Sequence, residues 1–125
     1  MTKARAGFVE RPYRRGDHRI VFASKDAEKG WRDLVATAQN AAVTAWEFLT
    51  VTPTQRDDST CYPLKDDLAT VTIDGTAHTR WQYKPTSGGR IWYAVVPAGK
   101  GAKFGIVYLE RVMTGHPNET VKNFR

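Results

Sequence analysis

Hydrophobic and polar positions alternate along residues 76–84 with the period of an extended strand. Ala77, Thr79, Trp81 and Tyr83 share one parity, and His78, Arg80, Gln82 and Lys84 share the other. A strand sends successive side chains to opposite faces, so this stretch carries a mostly apolar face and a basic one. Pro85, Ser87 and the pair Gly88-Gly89 then mark a turn. The chain resumes as Arg90-Ile91-Trp92-Tyr93-Ala94-Val95-Val96, rich in strand-favouring aromatic and β-branched residues. Trp92 and Tyr93 are adjacent and point to opposite faces, so unless the strand bulges at most one lines an open surface and the other joins the core. Upstream, Asp74-Gly75 joins residues 69–73 to 76–84 as a hairpin signal, because both residues tolerate positive φ. Turns at 86–89 and 98–101 and a last strand over 104–112 complete an antiparallel meander.

The period changes in the N-terminal half. After a short apolar run at 19–23 (RIVFA), consistent with a buried strand, Ser24 and Asp26 offer oxygen acceptors suited to a helix start. Apolar residues follow at Ala27, Trp31, Leu34, Val35, Ala38, Ala42, Ala45, Trp46 and Leu49, which is helical spacing. Gln39-Asn40 is the expected break between two helices, with Asn40 capping the second. Trp31 and Trp46 fall on the apolar stripe and are expected to anchor the core. The order predicts an α+β fold: an N-terminal strand, a helical hairpin, then an antiparallel β-meander, with helices on one sheet face and the other partly open.

Length and charge narrow the function. The chain has 125 residues, one domain's worth, read as a basic arm at 1–17 followed by a domain at 18–125. Nineteen Lys and Arg against thirteen Asp and Glu give a net charge of +6, which favours an anionic partner: nucleic acid, an acidic protein or anionic lipid. Five basic residues fall in the arm, as a solvated terminus or as a docking element. No long apolar run or leader stands out, and the single cysteine, Cys61, lacks a neighbouring His or a nucleophile motif. A cytoplasmic protein with an inert thiol, not bound to a membrane, is the expectation. His18, His78 and His116 lack metal-ligand spacing, and no phosphate-binding glycine motif or paired-carboxylate pattern is present. Neither a metal nor a cofactor is therefore expected.

What remains is a basic strand face and the tail Thr114-Gly115-His116-Pro117. Gly115 and Pro117 restrict the backbone on either side of His116, which is either aimed at the sheet or a plain surface histidine. Cutting RNA without a metal requires a base for the 2′-hydroxyl proton, cationic donors for the phosphate, and an acid for the departing 5′-oxygen. His, Lys, Arg and Tyr fill those roles, and exposed aromatics between cations hold a splayed base by stacking.

The segments FASKDAEKGWRDLV (22–35), NAAVTAWEFL (40–49), YPLKDDLATVTIDG (62–75), HTRWQYKPTSGGRIWYAV (78–95) and TGHPNET (114–120) resemble the RelE/ParE superfamily of toxins from bacterial type II toxin–antitoxin systems. The likeness is to the RelE/HigB-like RNA-cleaving branch. It implies a metal-independent endoribonuclease that cuts translated mRNA in the ribosomal A site and is covered by a cognate antitoxin. Carried over by motif, it implies a phosphate-contacting role for Arg90, a cationic role for Lys65 and acid or base work for His116. Arg80 and Lys84 are supplementary cations, and Trp92, Tyr93, Tyr108 and His78 are substrate-binding candidates. Two departures stand out: Gly89 precedes Arg90 where the family has tyrosine, and Tyr108 lies inside the last strand instead of after it. The same fold supports another expectation, a ParE-like inhibitor of DNA gyrase without chemistry of its own.

Overall fold

The computed structural model describes residues 7–115. Strand β1 (His18–Phe22) leads into helices α1 (Lys25–Thr37) and α2 (Gln39–Val51). There follow β2 (Cys61–Pro63), one 3₁₀ turn (Asp66–Leu68), β3 (Thr70–Ile73), β4 (Thr76–Thr79), β5 (Trp81–Tyr83), β6 (Arg90–Val96) and β7 (Gly105–Met113). The α+β order expected from the hydrophobic pattern is the order found. Five strands form one sheet in the order β1-β7-β6-β5-β2, parallel only between β1 and β7, and β3-β4 form a separate ribbon.

Both helix boundaries have local causes. Ser24 caps α1 by accepting a hydrogen bond from the Ala27 amide, and its hydroxyl donates to the Glu110 carbonyl at 2.9 Å, fastening the helix start to β7. The helices part at Ala38, whose amide closes α1 on the Leu34 carbonyl and whose carbonyl accepts from Ala42. Asn40 therefore lies inside α2 and does not cap it, and the cap position, Ala38, has no side-chain hydrogen bond to offer.

The helices cover the sheet face that carries Ile91, Tyr93, Val107, Leu109 and Val112, and add Ala27, Leu34, Ala42, Ala45 and Leu49 to the core. Gly30 sets the spacing of α1 from β7, because a Cβ there would overlap the Val112 carbonyl. On this face Phe48 stacks on Tyr83 with ring centres 4.8 Å apart, and Trp31 packs against the core.

Three expectations need correction. Strand β1 is a sheet edge and not a buried strand: among the described residues it pairs only with β7, and Val21 and Phe22 stay 40% and 45% exposed. Trp46 lies beside the arm instead of in the main core. It meets Tyr13 and the Arg11 guanidinium, and Arg11 also pairs with Glu47 at 2.9 Å, so Arg11 and Tyr13 dock on α2 while Gly16 and Asp17 bond to Lys103 and Gly105. The expected strand over 76–84 is broken at Arg80. Its amide donates to the Ala69 carbonyl just before β3 and its carbonyl accepts from Leu64 next to β2, so the backbone changes sheets at this residue. Ala77 and Thr79 consequently end up exposed, while Trp81 and Tyr83 turn toward the helices. The Asp74-Gly75 turn is as expected, with φ of 52° and 81°, the two positive values that a tight hairpin of this hand requires.

Candidate functional site

The open sheet face is built by register. Tyr62 of β2 lies opposite Gln82 of β5, Gln82 opposite Trp92 of β6, and Trp92 opposite Arg111 of β7, one row across four strands. Hydrogen bonds run along it. The Trp92 indole N–H donates to Gln82 Oε1 at 2.8 Å, and Gln82 Nε2 donates to the Tyr62 hydroxyl at 2.8 Å. Gln82 is only 9% exposed, so its amide is a fixed link between the two rings.

A β-bulge shapes the right-hand end. Trp92 pairs with Arg111 but Tyr93 pairs with Leu109, leaving Glu110 as the extra residue. Consecutive residues Glu110 and Arg111 therefore both serve the open face. Glu110 grips Arg80 through two hydrogen bonds of 2.7 Å, onto Nε and Nη2, and Arg80 Nη1 donates to the Leu68 carbonyl. The pair is largely shielded, at 12% and 21% side-chain exposure. It holds the Arg80 guanidinium carbon 5.2 Å from the Trp92 ring centre, with that of Arg111 at 5.9 Å.

Other cations border this row. Lys84 Nζ stands 5.3 Å from the centre of the Tyr62 ring. Arg90 opens β6, and its Nη1 donates to the carbonyls of Ser87 and Gly89, which hold the side chain without cancelling its charge. Among the described residues Lys84, Arg90 and Arg111 have no carboxylate partner, whereas Arg80 has one. The β3-β4 ribbon covers the neighbouring part of the face, where His78 meets Tyr108 with ring centres 6.4 Å apart and Ala94 is fully buried.

The residues singled out from sequence thus fall into distinct places. Trp92, Arg90 and Lys84 share the open face. Arg80 borders it but is occupied by Glu110, and Tyr108 of β7 meets His78 of the ribbon. Lys65 is exposed, just before the 3₁₀ turn, and the structure brings no site side chain to it. Tyr93 is a correction: it is fully buried on the helix side, where its hydroxyl donates to the Pro53 carbonyl at 2.7 Å and lies 3.2 Å from Cys61 Sγ. Burial raises both the Tyr93 phenol and the Cys61 thiol above their ordinary ranges, so neither ionises near neutral pH. His116 lies outside the described residues. Sequence reasoning passed over Tyr62, Gln82, Glu110 and Arg111, and only the parity of Gln82 with Arg80 and Lys84 pointed toward any of them.

No grouping of His, Cys, Asp and Glu among the described residues suits a metal ion, and no helix there is long and apolar enough to cross a membrane. Compared with known proteins, the chain matches no family model, no curated protein and no solved structure.

Proposed function

We propose that the chain is the toxin of a type II toxin–antitoxin pair, a metal-independent endoribonuclease that cuts translated mRNA on the ribosome in the cytoplasm. The observation that carries this reading is the Tyr62-Gln82-Trp92-Arg111 row bordered by Lys84 and Arg90. It sets aromatic rings, an aligned hydroxyl and, among the described residues, cations without a carboxylate partner on one open face, which supports the cationic and proton-donating parts of metal-free phosphodiester cleavage. The segments resembling the RelE/HigB-like branch point the same way.

In this reading Arg90, Lys84 and Arg111 hold and neutralise the scissile phosphate, and a guanidinium takes two phosphate oxygens at once. Trp92 supplies the surface against which an unpaired base stacks, in an orientation fixed by Gln82 and Arg80. Arg80 keeps its place through Glu110, as a clamp on that ring. His116 is the candidate base for the 2′-hydroxyl. A cognate antitoxin with acidic character would neutralise this face by covering it.

The test is cleavage mapping by primer extension in a reconstituted translation reaction, with wild-type protein, Arg90→Ala and a ribosome-free control. Codon-spaced cuts that need ribosomes and are lost in the variant are expected. Growth arrest without any cut, together with inhibition of supercoiling by the purified protein, would replace this reading with gyrase inhibition.

A further inference from the structure

We propose that Tyr62 donates the proton to the departing oxygen in this reaction and that Gln82 aligns it; the inference rests on the endoribonuclease reading above. Hydrogen-bond accounting carries it. The indole nitrogen of Trp92 has only a hydrogen to give, so the atom of Gln82 that faces it is the amide oxygen. The amide NH₂ is thereby turned toward Tyr62, where it donates and the phenolic oxygen accepts. Tyr62 cannot direct its own hydrogen back along that bond. It has no acceptor among the described residues, on an edge strand at the margin of the open face.

The surroundings separate Tyr62 from its neighbours. Lys84, Arg90 and Arg111 bring fixed positive charge that balances the phosphate, while Tyr62 brings a neutral O–H beside Lys84. Phenols keep their proton at neutral pH yet are far stronger acids than the alcohol that leaves. In the step, the 2′-oxygen forms a bond to phosphorus as its proton passes to the base. The bond from phosphorus to the 5′-oxygen breaks with its electron pair on that oxygen, which takes the Tyr62 proton. The products are a 2′,3′-cyclic phosphate and a 5′-hydroxyl, and the phenolate recovers a proton from water.

A bridging sulfur tests this directly, because a departing thiolate needs no proton. The ribosome-dependent reaction is run on mRNA with an oxygen or a sulfur at the 5′-bridging position of the mapped cut. Tyr62→Phe should slow cleavage of the oxygen linkage by about 100 to 1,000-fold, while the sulfur linkage is cut within about threefold of the wild-type rate. Gln82→Leu should show a smaller loss, about tenfold, with the same rescue. An equal loss on both linkages, or none on oxygen, in either variant that keeps the wild-type circular dichroism spectrum would overturn the role of Tyr62. Wild-type protein that cuts neither linkage would instead overturn the endoribonuclease reading itself.

Discussion

Removing the carboxylate of Glu110 is the most informative single change, because it decides whether Arg80 is a clamp or a ligand. The pair is bidentate, with both contacts at 2.7 Å and only 12% and 21% of the side chains exposed. Deleting one side of a shielded ion pair leaves the other charge without a partner, at about 3 to 5 kcal/mol. Arg80 would retain the Leu68 carbonyl and the Trp92 ring, so Glu110→Ala belongs near the lower end, about 3 kcal/mol. With a urea slope of about 1.5 to 2 kcal/mol per molar, the unfolding midpoint should fall by about 1.5 to 2 M. Arg80→Ala should cost less, since the Glu110 carboxylate is the more exposed of the two and recovers water more readily than the Arg80 guanidinium. The double variant should fall short of the summed losses by about 2 kcal/mol, measured as a double-mutant cycle in urea. Coupling under about 0.5 kcal/mol, or an Arg80→Ala protein of wild-type stability without cleavage activity, would refute the clamp and make Arg80 a phosphate ligand.

Other expectations follow from burial and close approach. Gly30→Ala gains about 1 kcal/mol of helix propensity but drives a methyl into the Val112 carbonyl, so a net loss of about 2 kcal/mol in urea unfolding is expected. Thr50→Val should raise the melting temperature by about 4 °C, because the buried Thr50 hydroxyl has no partner among the described residues and its removal is worth about 1 kcal/mol. The thiol of Cys61 and the phenols of Tyr83 and Tyr93 are raised by burial, so the folded state holds protons that the unfolded chain releases. Stability is then full below about pH 8.5, the ordinary thiol value, and declines as pH rises above it; a urea midpoint unchanged from pH 7 to 10 would contradict this. For the same reason Cys61 should react with a thiol reagent only on unfolding, followed by absorbance.

The helices, the Asp74-Gly75 hairpin and the opposed faces of Trp92 and Tyr93 were legible in the sequence because each rests on local periodicity or turn chemistry. The site was legible only in part, because it is made by pairing between distant segments. Parity assigned Gln82 to a face, yet nothing local places it between Tyr62, twenty residues upstream, and Trp92, ten residues downstream. That depends on register, which turn geometry sets. The bulge at Glu110 is the sharper case. Strict alternation along β7 allows only one of Glu110 and Arg111 on the open face. With Glu110 alone there, its carboxylate would pair with Arg80 and leave only Lys84 and Arg90 as free cations. With Arg111 alone, Arg80 would lose its anchor and Trp92 its fixed cation. The extra residue places both on one side, so the clamp is satisfied and a surplus of positive charge remains beside the ring. One irregularity in the ladder thus both anchors Arg80 and sets the charge of this face.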